Sequence, residues 1–497
     1  MRAMPWWPLA LALLAGALLP LAFAPFNLWP LAILCPALLM WLWSGASPRR
    51  AAWLGFAFGV GTFSAGTWWL YISIRGFGGA PIVLAVALIV LLVLLMASYH
   101  ALLGWLAATI LPPQGPWRWY AGLPALWLLC EWCRGWFLSG FPWFSLGYSQ
   151  TDTWLASYAP VLGVYGISAL LLLQAGALAR LAEGGRRPLW VAVALIALLW
   201  VGGRALTGVD WTKAHGSSQP VAILQGAIPQ DEKWQLANRE PTKALYRELN
   251  DQALGARLIV WPEAAVPELA NEMARYLAEI QARSRSQGSD VIMGVVRLGD
   301  DGINYYNSII ALTGNVAFYD KRHLVMFAET FPVPAFVRNW LRLLNLPYSD
   351  FAPGSDHQVP LSAAGMSLAP SICYEDAFGS AQLPLVRRSE LLVNVTNDAW
   401  FAHSPARYQH LQISRMRALE SERYLLRAGN DGVSAIIGPR GELEAVAPEY
   451  RSTVLRGTVL ARRGLSPYTR VGNWVVVSLA LGAMAAAWYR RRHPYVR

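Results

Sequence analysis

The 497-residue sequence predicts a polytopic α-helical membrane domain of about eight transmembrane helices joined to an α/β domain on one side of that membrane. Three observations predict it. The chain is 55% hydrophobic and only 14% charged. Residues 3–48 and 76–117 contain no Asp, Glu, Lys or Arg, so nothing in them favours water. From about residue 219 the pattern changes to short β-rich runs separated by polar, helix-like segments.

Breaks at Pro, Gly or Arg divide the first part into seven apolar segments, near 5–22, 27–45, 51–72, 81–111, 117–134, 159–180 and 188–206. An eighth lies at 472–489. The organisation is then a transmembrane domain over 1–208, an α/β domain over 219–462, a C-terminal span over 472–489 and a basic tail over 490–497. Within the spans, Glu131 and Arg134 lie three apart on one helix face and are expected to pair.

The net charge of +11 is unevenly placed. Residues 1–209 hold 10 basic and 3 acidic side chains, 210–489 hold 27 of each, and 490–497 add 4 arginines. This distribution argues against a basic nucleic-acid-binding surface and for charges that flank membrane spans. Lys and Arg resist translocation. Arg49, Arg50, Arg118, Arg180, Arg186, Arg187 and the tail arginines fall on one side if both termini are cytoplasmic. The large domain between spans seven and eight is then external, in a bacterium periplasmic.

Within that domain, 221–224, 258–261, 291–296, 308–312, 367–373, 391–395 and 434–437 read as strands, and 239–254, 268–287 and 408–426 as helices. Three strand ends carry conspicuous polar residues: Glu263, Lys321 and Cys373. Strand ends hold reactive groups rigidly while leaving them accessible. A thiol to attack a carbonyl, a carboxylate to move its proton and an ammonium to stabilise an oxyanion form a complete chemical set. Cys373 is the only cysteine of this domain and has no disulfide partner. His323 and His410 have no second ligand at metal-binding spacing and read as structural or loop residues.

WPEAAVP at 261–267, YDKRHLV at 319–325 and ICYEDAF at 372–378 resemble the Glu, Lys and Cys motifs of the nitrilase superfamily, which implies an αββα sandwich. FAPFNLWPLA at 23–32, SIRGFGG at 73–79, EWCRGWFLSGFPW at 131–143, QGAIPQDEKW at 225–234 and NDAWF at 397–401 narrow the resemblance to its membrane-embedded branch, the apolipoprotein N-acyltransferases. That likeness implies Cys373 as acyl-accepting nucleophile, Glu263 as general base and acid, and Lys321 as oxyanion stabiliser. It implies Glu329, Tyr374 and Glu375 as supporting residues, and Trp234, Asn397, Trp400 and Phe401 as substrate-binding ones. The implied reaction is ping-pong transfer of a fatty acyl chain from a phospholipid, phosphatidylethanolamine, to the N-terminal amine of a diacylglyceryl apolipoprotein, with no metal or cofactor. The implied location is the bacterial inner membrane.

The chain departs from the family pattern at Met326 and Ala328, where HLVMFAE replaces HLVPFGE, at Ala402 after Trp400-Phe401, and at Glu422, where Gly is common before Arg423. A side chain at a position requiring positive φ costs about 1 kcal/mol or more. Two alternatives stay open at this point: a membrane-tethered amidase using the same residues with water as acceptor, and a catalytically impaired variant acting as a lipid-binding membrane protein.

Overall fold

The computed structural model describes residues 6–182, 184, 186–326, 328–330 and 351–492, and Arg497 of the basic tail lies outside them. The chain forms two compact units, Met1–Val209 with Val471–Arg497, and Asp210–Arg470.

The first unit is helical: α1 (Trp7–Leu18), α2 (Leu31–Leu42), α3 (Pro48–Thr67), α4 (Ile82–Thr109), α5 (Leu123–Arg134), α6 (Ala159–Leu181) and α7 (Arg186–Leu206), with a C-terminal helix Trp474–Arg492. Three described stretches, Ile82–Thr109, Trp154–Leu181 and Arg186–Leu206, are long and apolar enough to cross a membrane. The other segments expected as spans are helical as well, but α1, α2 and α5 are each 12 residues long. Helices α3 and α4 touch backbone to backbone through Gly55: a Cβ there would fall 2.0 Å from the carbonyl oxygen of His100. Small residues spaced for close approach are how helices associate where no hydrophobic drive exists.

Among the described contacts Glu131 and Arg134 form no direct ion pair, and each bonds instead to other groups. Arg134 donates to the carbonyls of Phe141 and Trp143, the latter at 2.6 Å, and Glu131 accepts from the Ser168 hydroxyl at 2.5 Å and the Leu146 amide at 3.3 Å. The segment after α5 is irregular, broken into short 3-10 turns, so its buried backbone groups need partners. The two charges supply them.

Among its described residues the second unit holds two six-stranded sheets. The first has the order β12-β1-β2-β3-β4-β5, with β1 (Lys213–Gln225), β2 (Leu258–Val260), β3 (Asp290–Leu298), β4 (Tyr305–Leu312), β5 (Ala317–Asp320) and β12 (Thr453–Arg463). The second has the order β11-β10-β9-β8-β7-β6, with β6 (Leu361–Ala363), β7 (Met366–Ile372), β8 (Leu391–Thr396), β9 (Leu425–Gly429), β10 (Ala435–Ile437) and β11 (Leu443–Val446). Alternate residues of a strand face opposite ways, which sorts the core into layers. Val221, Ile223, Val260 and Ile292 meet Leu368, Ile372, Val393 and Val395 between the sheets. Ala222, Leu224, Ile259 and Met293 face outward onto Tyr246, Leu249, Leu277 and Ile280 of helices α8 (Arg239–Ala253) and α9 (Ala274–Ser286). Helices α10 (Gly379–Val386) and α11 (Ala406–Ser421) cover the second sheet.

The helix expected over 408–426 ends at Ser421 because Glu422 adopts a left-handed conformation, φ 48° and ψ 49°. The chain then turns into β9. A side chain other than glycine is strained there by about 1–2 kcal/mol, yet Glu422 puts its carboxylate to use. It accepts from the amides of Trp211 at 2.7 Å and Thr212 at 2.9 Å, while its carbonyl accepts from the Thr212 hydroxyl at 2.9 Å. This ties the start of the domain to the end of α11. Ala402 also has positive φ, 43° with ψ −138°, and its methyl group can form no such bonds.

These two positions predict opposite outcomes. Hydrogen bonds to a buried charge are worth about 1.5–3 kcal/mol each, so Glu422→Gly loses more than the strain it relieves and lowers the thermal midpoint of the purified protein. Ala402→Gly removes strain of about 1–3 kcal/mol against a smaller glycine entropy cost and raises it. Shifts of the same sign in both variants contradict this reading.

Candidate active site

Chain after β2 runs into Trp261-Pro262-Glu263. Pro262 cannot donate to a ladder and ends the strand. Trp261 anchors the turn by stacking on Tyr246 at 4.9 Å and donating to Asn250 at 3.3 Å. Gly294 on the neighbouring strand makes room, since a Cβ there would lie 2.6 Å from Glu263 Cα. Glu263 is thereby buried at 8% exposure, with Oε1 accepting from Asn307 Nδ2 at 2.8 Å.

Lys321 follows β5, with its amide donating to the Asn307 carbonyl at 2.8 Å. Its side chain is 1% exposed, and Nζ lies 2.8 Å from Glu329 Oε1 and 3.8 Å from Glu263 Oε1. Burial alone would lower the ammonium, but attraction to Glu329 and Glu263 outweighs it and holds Lys321 above the ordinary lysine range. The Glu329 carboxylate also accepts from the Val325 amide at 2.8 Å and Asn307 Nδ2 at 3.0 Å. Met326 and Ala328 therefore sit in a turn that still aims Glu329 at Lys321.

Cys373 follows β7 in the second sheet and is partly exposed. Its φ is 51°, a left-handed conformation. Burial of the sulfur and the nearby Glu263 charge raise the thiol above its usual range, and Lys321 only partly offsets them. The resting sulfur is a thiol that needs a base.

Glu375 joins the two sheets. Its buried carboxylate accepts from the Arg322 amide at 2.8 Å and the His323 amide at 3.2 Å, just after Lys321, and from the Ile372 amide at 2.8 Å, just before Cys373. The Tyr319 hydroxyl adds a contact at 3.0 Å. Burial raises this carboxyl, opposed by Lys321 and the amides.

The remaining expected residues ring this centre less directly. Tyr374 packs edge-on to Phe378, ring centroids 5.0 Å apart. Asn397 is buried and donates to Gln230 Oε1 at 2.7 Å, linking the NDAWF loop to the short helix that precedes Trp234. Trp234 is exposed, and Trp400 and Phe401 are partly exposed.

Sequence reasoning missed Asn307 and Lys233. Asn307 holds both carboxylates from β4, and its only local signal is a lone amide in an apolar strand. Lys233 is fully buried, donates to the Glu263 carbonyl at 3.2 Å, and is pushed down to about 8 by burial. His410 is no loop residue: it lies on α11 with both ring nitrogens against carboxylates, Asp398 at 2.8 Å and Asp376 at 3.0 Å.

Two family models match the chain: the apolipoprotein N-acyltransferase N-terminal domain over residues 15–177, and carbon-nitrogen hydrolase over residues 220–463. Among curated relatives, an apolipoprotein N-acyltransferase of Methylococcus capsulatus is 42% identical over 97% of this chain and 96% of its own. One of Chromobacterium violaceum is 40% identical over 97% of this chain and 94% of its own. One of Vibrio parahaemolyticus is 37% identical over 98% and 97%.

Glu375→Gln tests the clamp between the sheets. The amide NH2 would face backbone N–H donors, at a cost of about 2–3 kcal/mol. The expected result is a lower thermal midpoint and a loss of at least about tenfold in Cys373 reactivity toward an electrophile. A variant as stable and as reactive as the unmodified protein would remove Glu375 from this role.

Proposed function

The chain belongs to the apolipoprotein N-acyltransferase family, and we propose that it carries out that transfer in two steps through a thioester on Cys373. The observation that carries this reading is the Lys321 ammonium held between Glu263 and Glu329, with the protonated Cys373 thiol in the field of both Lys321 and Glu263.

In the first step Glu263 takes the thiol proton, and the sulfur attacks an ester carbonyl of a phospholipid, phosphatidylethanolamine. The carbonyl oxygen becomes an oxyanion beside Lys321, which stabilises it. Collapse breaks the ester C–O bond. Glu263 returns its proton to the glycerol oxygen, and a lysophospholipid leaves. In the second step the α-amine of a diacylglyceryl-cysteine attacks the thioester, Glu263 accepts an amine proton, and Cys373 departs and recovers its proton. Lys321 serves the oxyanion in both steps. Asn307 and Glu329 hold Glu263 and Lys321 in place between them.

The membrane supplies both substrates. We read about eight spans over 1–208 and 472–489, both termini as cytoplasmic, and the domain over 219–462 as periplasmic, from the distribution of arginines and the apolar segments. Anchoring the catalytic domain at both ends keeps it at high effective concentration beside lipid-anchored substrates.

Incubation with alkyne-labelled phosphatidylethanolamine should label the protein, not Cys373→Ala, and a diacylglyceryl-cysteine peptide should then remove the label and carry it as an amide. An unlabelled wild-type protein would overturn the reading. A C-terminal alkaline phosphatase fusion should be inactive, and an active one would reverse the orientation.

A further inference from the structure

Four ionisable side chains that the acyl-transfer steps do not use are buried together beside Cys373. Asp376, Asp398, His410 and Arg427 are each 1% exposed or less. They come from the turn that begins at Cys373, the loop after β8, helix α11 and strand β9. His410 Nδ1 lies 2.8 Å from Asp398 Oδ1, and Nε2 lies 3.0 Å from Asp376 Oδ1 and 3.1 Å from the carbonyl oxygen of Cys373. Each ring nitrogen thus faces an anion. A neutral imidazole would point a lone pair at one of them, so both nitrogens carry protons.

Arg427 completes the balance. It donates to Asp398 at 2.7 Å, to Asn394 at 2.9 Å and to Ser414 at 2.8 Å, and lies 3.5 Å from Asp376. The Ser414 hydroxyl donates to Asp376, and the Thr396 hydroxyl to Asp398 at 3.2 Å. Two carboxylates meet two cations, and removing any one leaves a buried charge unpaired.

The set also reaches the carbonyl of Cys373, which accepts from His410 and from Asn394 Nδ2 at 3.3 Å. A cysteine at φ 51° persists only where surrounding contacts over-determine it. We propose that His410 is a positioning residue for acyl transfer, a standing imidazolium that holds the Cys373 carbonyl and so the strained backbone that aims the thiol at Glu263 and Lys321. This rests on Cys373 being the nucleophile.

The role has a pH signature. The titratable groups facing His410 are Cys373 and Asp376 from the turn, Asp398 from the loop after β8, and Arg427 from β9. Burial and Arg427 favour loss of the imidazole proton, but Asp376 and Asp398 outweigh them and raise His410 to about 9. A raised pKa means that the contribution is complete below the unfolded value and is lost as pH rises through about 9.

The test is single-turnover thioester formation from phosphatidylethanolamine by the full-length enzyme across pH. His410→Gln should slow it by about ten- to a hundredfold, with KM for the phospholipid within about twofold. Asp376→Asn keeps the shape and removes one carboxylate, so it should move the alkaline limb down by about one pH unit, and it decides the matter if His410→Gln does not fold. A thioester that forms with the limb unmoved in Asp376→Asn overturns the role of His410 alone. No thioester on the unmodified protein overturns the acyl-transfer reading and this one with it.

Discussion

The site depends on one buried carboxylate. Glu375 sits within the turn that carries Cys373, yet it is bonded to Tyr319 and to the amides of Arg322 and His323 from the other sheet. A face-to-face pair of sheets fixes its spacing through side-chain packing and leaves some freedom to slide. Glu375 removes that freedom at the one edge where the strand ends must register. Cys373 in one sheet, and Glu263 and Lys321 in the other, form a single site because these bonds cannot be made in any shifted arrangement.

Electrostatics then divides the labour. Burial, reinforced by the Glu263 charge and only partly offset by Lys321, keeps the Cys373 thiol protonated, while attraction to Glu329 and Glu263 keeps the buried Lys321 charged. Such a thiol is inert until a base takes its proton. In the proposed mechanism Glu263 is that base. Conformation supports this: Ala264 and Cys373 both have positive φ, and strain of this kind persists only where packing and hydrogen bonds enforce it.

The sequence carried the local part of this picture. Glu263, Lys321 and Cys373 stand out because each closes an apolar run, a one-dimensional pattern. The short apolar, β-rich runs marked the strands for the same reason. Asn307, Lys233 and Arg427 left no such mark, since their partners come from strands and turns distant in sequence, and only sheet pairing defines them. His410 read as isolated because both its carboxylates lie more than ten residues away. Glu131 and Arg134 misled in the opposite way: helical spacing suggested a pair, while the carbonyls and amide that engage them belong to an irregular segment that periodicity does not describe. The helix over 408–426 was drawn too long because a glutamate, not a glycine, occupies the left-handed position that ends it.

The most direct test of the account is to locate the acyl group. After incubation with a phosphatidylethanolamine of one defined chain length, mass spectrometry of the digested protein should find that acyl mass on the peptide containing Cys373. The adduct should be labile to hydroxylamine and absent when Glu263→Gln is treated in the same way. An adduct on another residue, or one that forms undiminished without the Glu263 carboxylate, would contradict the assignment of nucleophile and base.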